Sequence, residues 1–164
     1  MRALVALALL VPAIAAAGER PRIERTEDLF VLRVRSPLPE VLAAVETAIA
    51  RQNYFVAGTN HIDDTLRRRA ADLGGSFEFD HYKILSFCSL TLANEALRAD
   101  PAVGVFMPCR LVLFARKGSP EVTILTMRPT FLSRVFRSSA VERLASRVEA
   151  DVVAILEMVA ADFR

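Results

Sequence analysis

Five short segments of the chain are rich in β-branched, aromatic and other hydrophobic residues, and such runs are typical of β-strands. Residues 29–34 also alternate with the period of two that half-buried strands show. The four residues between the last two segments include Gly118 and Pro120, which predicts a hairpin at that point. The pattern therefore predicts five strands, at residues 29–34, 54–62, 83–88, 110–116 and 121–127.

Four other segments carry hydrophobic residues at the three- and four-residue spacing of an amphipathic helix. Ser36-Pro37 has the residue types that favour a helix start, and Ser138 has the type that caps one. Asp63 is predicted to cap a short basic helix that Gly74-Gly75 ends. The predicted helices cover residues 37–52, 63–73, 90–99 and 138–162.

The order of these elements mixes strands with helices and includes one hairpin, so it favours the α+β class. We expect a single two-layer domain at residues 28–164, with helices packed on one face of a mixed, mostly antiparallel sheet of about five strands. The other face of the sheet then needs polar side chains or a partner. Residues 18–27 are polar and charged, and we expect them to form a flexible lead-in.

The first 17 residues have the three parts of a secretory signal peptide. Met1-Arg2 is a positively charged start, residues 3–14 are apolar without interruption, and residues 15–17 are alanines before a predicted cleavage at Gly18. An uncleaved membrane anchor is the alternative, but this stretch is shorter than the ~20 residues that a spanning helix needs. We expect a periplasmic or secreted protein with no membrane span after cleavage.

The charge of the chain is close to balanced, at a formal +2, or +1 once Arg2 leaves with the signal peptide. Such a chain has no strong electrostatic attraction for nucleic acid, so we expect no nucleic-acid partner. The apolar surface of the long last helix favours self-association. We expect a homodimer that binds a small ligand or a periplasmic protein.

The only two cysteines, Cys88 and Cys109, lie at the ends of predicted strands, with a predicted helix between them. Both would meet an oxidising compartment after export, so a structural disulfide is the leading interpretation. The bond requires antiparallel strands, because parallel strands would separate the thiols by a strand length. Buried free thiols, ligands of a metal or haem, and a redox-active pair stay open as alternatives.

His61 and His81 are the only histidines, and neither has the spacing of a metal-binding motif. Each flanks a predicted strand, so both could approach one end of the sheet. With Cys88 and Cys109 they would form a mixed nitrogen and sulfur site of the kind that copper or zinc accepts. Solvated or core-edge histidines are the alternative, and a domain without any cofactor is the simplest expectation.

Arginines are the candidate anion ligands. Arg67, Arg68 and Arg69 are consecutive in a predicted helix, where they form either a solvated face or a site for an anion or acidic partner, and Arg110 follows Cys109 directly. Thr130-Phe131-Leu132 and Val135-Phe136 are apolar within a basic connection, and they either cover the core or form an exposed contact patch.

No arrangement of residues typical of catalysis is present in the sequence. It has no G-x-S-x-G motif, no glycine-rich phosphate loop and no evident nucleophile beside a base. Asp80 could orient the ring of His81, but no nucleophile accompanies this pair.

The segment HYKILSFCSLTLANEALRADPAVGVFMPCRLVLF resembles the domain of unknown function 302 family. The family pattern has an Ile-Asp element, a later Phe-(Cys/Gly)-Asn-Pro-like turn and a Leu/Met-Pro-Cys/Leu-Arg strand start. These correspond to Ile62-Asp63, Phe87-Cys88-Ser89 and Met107-Pro108-Cys109-Arg110, although Ser89-Leu90 stands in place of Asn-Pro. The resemblance covers residues 31–127. It implies a compact α+β domain, often exported and sometimes dimeric, without an established activity.

Three functions stay open at this point. The first hypothesis is an exported binding or accessory domain without catalysis, held by a Cys88–Cys109 disulfide and self-associating. The second is a metal- or haem-binding protein for electron transfer or for gas or sulfur chemistry, with His61, His81 and the two cysteines as ligands. The third is an enzyme for a small anionic substrate near Arg110 and the cysteines.

Overall fold

The structure is a computed structural model that describes residues 20–75 and 77–163, and a six-stranded antiparallel sheet forms its centre. The strands are β1 Ile23–Arg25, β2 Leu29–Arg35, β3 Phe55–His61, β4 Phe79–Cys88, β5 Cys109–Arg116 and β6 Glu121–Met127. Across the sheet they follow the order β1-β2-β6-β5-β4-β3. The predicted signal peptide and its cleavage site lie outside the described residues.

Helices pack against one face of this sheet and form the second layer, so the predicted α+β class is confirmed. They are α1 Leu38–Arg51, α2 Ile62–Arg68, α3 Leu90–Ala99, α4 Leu132–Val135 and α5 Ser139–Asp162, with 3₁₀ segments at Pro101–Phe106 and Pro129–Phe131. None of the helices in the described part of the chain has the length and apolar character needed to cross a membrane.

The long helix α5 supplies apolar side chains to two separate clusters of the core. Its second half, including Val152 and Ile155, packs with α1 and the sheet in the main cluster. Its first half, including Val141 and Leu144, packs against Ala96 of α3 in a smaller cluster. The unbroken apolar face of α5 explains how one helix can serve both, since residues three and four apart share a side of a helix.

Strand alternation separates the side chains of the sheet into two faces. Phe87, Leu111 and Ile124 point toward the helices and are fully buried. Tyr82 and Phe114 belong to the opposite face, where their rings stack with centroids 5.9 Å apart and are only partly buried. The face without helices is therefore partly apolar.

A partly buried ion pair connects α5 to the turn before β2. Nη2 of Arg128 lies 2.8 Å from Oε1 of Glu149, and Nη1 of Arg128 donates to the carbonyl of Thr26 at 3.1 Å. The backbone N–H of Thr130 donates to the second carboxylate oxygen of Glu149 at 3.1 Å. Burial opposes the charge of Glu149, but the hydrogen bonds from Arg128 and Thr130 outweigh it and lower the pKa of this carboxyl.

The apolar residues of the connection 130–136 belong mostly to the core. Leu132 and Phe136 pack against the smaller cluster, and Phe136 meets Phe106 edge to face. Val135 is the exception, with 48% of its surface exposed. The alternative interpretation, an exposed contact patch, therefore fits Val135 but not Leu132 or Phe136.

Three expectations about the elements were wrong. Ile23–Arg25, within the predicted flexible lead-in, pair with β2 as an edge strand, which makes the sheet six-stranded. Every strand pair is antiparallel, so the sheet is not mixed. Helix α2 ends at Arg68, and Asp63 lies inside it instead of capping it, because the Asp63 carboxylate is bound by Lys83 of β4.

Candidate functional site

An apolar cavity of about 420 Å³ lies at the end of the sheet where β4 ends and β5 begins. It is bordered by α3, the 3₁₀ segment Pro101–Phe106, α5 and the strand ends. Its lining continues around the strand ends onto the face without helices, at Arg110, Val112 and Leu125. Its wall is almost entirely hydrophobic, with side chains such as Phe87, Leu92, Phe106 and Val148.

Small side chains on the two facing helices leave this space open. Ala93 and Ala96 of α3 and Ala145 of α5 all line the cavity. Protein interiors are normally packed as densely as organic crystals, so a gap of several hundred cubic ångströms is unusual. The alanines keep α3 and α5 together at the smaller core cluster without filling the volume toward the sheet.

Both cysteines lie on the wall of this cavity, as free thiols. Strands β4 and β5 are antiparallel, which meets the first condition for a disulfide, and Cys109 pairs directly with Phe87. Because Phe87 points toward the helices, Cys109 does too, whereas Cys88 belongs to the other face by alternation. Neighbouring positions on opposite faces do not suit a disulfide, whose two side chains must point toward each other.

Both thiols hold their protons at neutral pH. Burial raises the pKa of Cys109 to about 11 and also raises the pKa of Cys88. The thiolate is the form that attacks electrophiles and binds metals, so an apolar surrounding makes both cysteines weak nucleophiles and weak ligands. They contribute to the wall mainly as small hydrophobic groups.

The histidines lie at the opposite end of β4. His61 pairs with Lys83, which is five residues from Cys88 and therefore roughly 17 Å away along the strand. The hypothesis of a shared site of His61, His81, Cys88 and Cys109 is therefore wrong in its geometry. Within residues 20–75 and 77–163, no group of three or more His, Cys, Asp or Glu side chains has an arrangement that could hold a metal ion.

A closed network of charges occupies the histidine end of the sheet. Asp63 is fully buried, and its Oδ1 lies 2.8 Å from Nζ of Lys83, which is itself buried. The same Nζ lies 3.2 Å from Oδ2 of Asp64. Nδ1 of His61 lies 3.6 Å from Asp64, and Nδ1 of His81 lies 3.8 Å from Asp63.

This network keeps the acidic side chains ionised. Burial opposes the charge of Asp63, but hydrogen bonds from Lys83 and from the backbone N–H groups of Tyr82 and Asp64 outweigh it and lower the pKa. The hydrogen bond from Lys83 is the main reason that the pKa of Asp64 is also lowered. A carboxylate that stays ionised and paired at neutral pH suits a structural role better than that of a general acid, which must carry a proton.

The consecutive arginines also have partners inside the fold. Arg67 contacts Asp63 at 3.3 Å and Asp64 at 2.9 Å, and its second terminal nitrogen donates to the carbonyl of Asp80. Arg68 donates to Thr65, and Arg69 pairs with Asp72. These three side chains do not converge on a common anion site. Arg110, by contrast, is exposed and borders the apolar cavity.

A second, polar cleft of about 430 Å³ adjoins the apolar cavity. Both spaces are bordered by Tyr54, Ser89 and Leu92, which form a common wall. The remaining side chains of the cleft are mostly polar and come from the end of α1, the start of α3 and the middle of α5: Gln52, Asn53, Thr91, Arg147, Ala150 and Asp151.

Tyr54 places an apolar ring beside the cavity and a polar hydroxyl in the cleft. Its ring packs against Phe87 with centroids 5.6 Å apart, and its hydroxyl donates to Oδ2 of Asp151 at 2.9 Å. Burial and the hydrogen bond to Asp151 both raise the pKa of Tyr54, so its proton stays on the oxygen. Sequence reasoning missed both residues, because 97 positions separate them and neither belongs to a motif.

Comparisons with known proteins agree on the fold. Residues 30–159 match the family model described as Domain of unknown function DUF302. A solved structure, described as an uncharacterized conserved protein DUF302 from Bacillus stearothermophilus, is similar with a TM-score of 0.71 at 21% sequence identity. The match covers 81% of this chain and 98% of that chain. No curated protein matches this chain.

Proposed function

We propose that this chain, which belongs to the Domain of unknown function DUF302 family, is an exported domain that binds a small, mainly apolar molecule and does no chemistry on it. The observation that carries this proposal is the apolar cavity of about 420 Å³ between α3, α5 and the sheet.

The size and the lining of the cavity support binding. Ligand sites commonly have volumes of roughly 300–1,000 Å³ and are lined mainly by hydrophobic side chains with a few polar groups. This cavity falls in that range, and its polar side chains sit at its borders, as Ser89, Arg110 and Thr126 do. Each Å² of apolar ligand surface buried there would contribute about 25 cal/mol.

The titratable groups of the cavity wall argue for binding without catalysis. Within the described residues they are Tyr54, Cys88, Cys109 and Arg110, and neither a carboxylate nor a histidine lines the space. The raised pKa values of Tyr54, Cys88 and Cys109 keep these groups protonated. A general base needs a pKa near the working pH, and none of these side chains supplies one.

Export and self-association are part of the same proposal. Export rests on the signal-peptide pattern of residues 1–17, and self-association rests on the partly apolar sheet face around Tyr82 and Phe114. The disulfide stays a prediction for the exported protein. It would require Cys88 to turn at the end of β4 toward Cys109, and counting free thiols in protein recovered from an oxidising compartment tests it.

Titration with an uncharged apolar dye, N-phenyl-1-naphthylamine, tests the binding proposal. We expect the fluorescence of the dye to rise on binding to the purified domain, and we expect Ala93→Leu to weaken binding about tenfold by occupying part of the cavity. Ala99→Leu is the matched control, because Ala99 lies on the same helix but is exposed and away from the cavity wall.

Two results would contradict the proposal. One is the absence of dye binding by the folded wild-type domain. The other is an equal loss of binding in Ala93→Leu and Ala99→Leu, which would place the dye outside the cavity. Circular dichroism of each variant confirms that the fold is retained before the titrations are compared.

A further inference from the structure

We propose, on the basis of the binding function above, that the ligand is an amphiphile with an uncharged, hydrogen-bonding head group. Its apolar part occupies the cavity, and its head group occupies the polar cleft on the other side of Tyr54. The observation that carries this inference is that the cavity and the cleft share Tyr54, Ser89 and Leu92 as a common wall.

The side chains of the common wall show the direction of the polarity change. The ring of Tyr54 packs on Phe87 beside the cavity, and its hydroxyl binds Asp151 in the cleft. Tyrosine with an apolar body and a polar tip is typical of boundaries between apolar and polar surroundings. A ligand that follows the same boundary needs the same division between an apolar body and a polar end.

The polar groups of the cleft favour a head group that both donates and accepts hydrogen bonds. The amides of Gln52 and Asn53 and the hydroxyl of Thr91 each offer both functions at the edge of the cleft. Gln52, Asn53 and Thr91 are at least partly exposed, so a head group can reach them.

The cleft contains one side chain of each charge, Arg147 and Asp151, so an ionic head group of either sign meets repulsion there. Nη1 of Arg147 lies 2.7 Å from a carboxylate oxygen of Glu95, an exposed pair that holds the arginine beside the cleft. Asp151 lies in the same cleft and would repel an anion. A cation would be repelled by Arg147. A head group of hydroxyl or amide groups carries no charge, so neither side chain repels it.

Three probes with the same ten-carbon chain test this inference: monodecanoylglycerol, decanoate and decyltrimethylammonium, each below the concentration at which it forms micelles. Displacement of N-phenyl-1-naphthylamine reports their affinities for the wild-type domain. We expect monodecanoylglycerol to bind about tenfold more tightly than either ion, which corresponds to one or two neutral hydrogen bonds.

The double variant Gln52→Met with Thr91→Val removes two polar groups of the cleft and keeps the side-chain size. We expect it to bind monodecanoylglycerol about tenfold more weakly and the dye as tightly as the wild type does. Thr65→Val is the matched control, because Thr65 lies on α2, outside both spaces, and should change neither affinity.

The possible outcomes separate this inference from the proposed function. If the dye binds but the three probes bind equally, or an ion binds best, the inference is wrong and the binding function stands. If the double variant retains full affinity for monodecanoylglycerol, the cleft does not hold the head group and the inference is likewise wrong. If neither the dye nor any probe binds, the proposed function itself fails.

Discussion

The surroundings of β4 are charged and filled toward one end and apolar and open toward the other. Toward one end, the buried Lys83, midway along the strand, contacts both Asp63 and Asp64 directly. At the other end, Phe87 and Cys88 border an apolar cavity. The first end is filled and electrically satisfied within the fold, whereas the second has space and no internal partner. The difference is the reason that the proposed ligand site is at the cavity end.

The comparison also shows that the clustered charges and the accessible volume lie in different places. The end with acids, histidines and arginines has the composition of an active site, yet its groups are committed to one another. The end with few polar groups is the one with accessible volume. A cluster of titratable residues is a stronger functional candidate when it lines a cleft, and this cluster borders neither of the two spaces described above.

Removal of the buried carboxylate should have the largest effect on this comparison. Asp63→Ala leaves Lys83 buried with only the exposed Asp64 as a counter-charge, so we expect the free energy of unfolding to fall by about 3–5 kcal/mol. Urea denaturation measures the change. Asp72→Ala breaks an exposed pair with Arg69 and serves as the control, with an expected loss below about 1 kcal/mol. Similar losses in both variants would show that burial does not distinguish the charged end.

The thiols at the cavity end should react slowly. With a pKa of about 11, Cys109 is almost entirely protonated at pH 8, and we expect iodoacetamide to modify it about a hundredfold more slowly than an ordinary exposed cysteine. Cys88→Ser and Cys109→Ser each leave a single thiol, and mass spectrometry follows the rates. Cys88 should react faster than Cys109, since it is on the face without helices. A faster Cys109 would contradict the apolar description of this wall.

A pH titration should give the smallest effect. The pKa of Asp63 is lowered in the folded state, so its contribution to stability is present above the ordinary value of 3.8 and is lost as pH falls through the folded-state pKa. Asp63→Asn should therefore lose less stability than the wild type over that acidic range. Thermal unfolding at a series of pH values measures both proteins. Parallel curves would mean that other carboxylates, such as Glu149, account for the acid sensitivity.

Much of the fold followed from residue patterns. The five predicted strands and four predicted helices are present, because period-two and period-3.6 hydrophobicity directly report which side of an element is buried. The strand Ile23–Arg25 was missed since it has three residues, two of them charged, and only its pairing with β2 makes it a strand. From its sequence alone, this charged segment cannot be distinguished from a loop.

The candidate site was less predictable than the fold. The sequence correctly brought Cys88 and Cys109 to neighbouring strands, but their faces depend on the register that pairs Phe87 with Cys109. The cavity depends on the distance that alanines set between α3 and α5, which no linear pattern encodes. Asp63 has the residue type of a helix cap, and only its contact with Lys83, 20 positions later, reveals a different role.

The two outer strands have a consequence for how copies of this domain can aggregate. One edge of the sheet is the three-residue β1, and the other is β3, whose pairing with β4 is interrupted between Val56 and Gly58. Short and irregular edges are poor templates for a further strand, and natural proteins use them to prevent fibril-like growth. The proposed self-association therefore rests on the partly apolar sheet face and not on strand pairing at either edge.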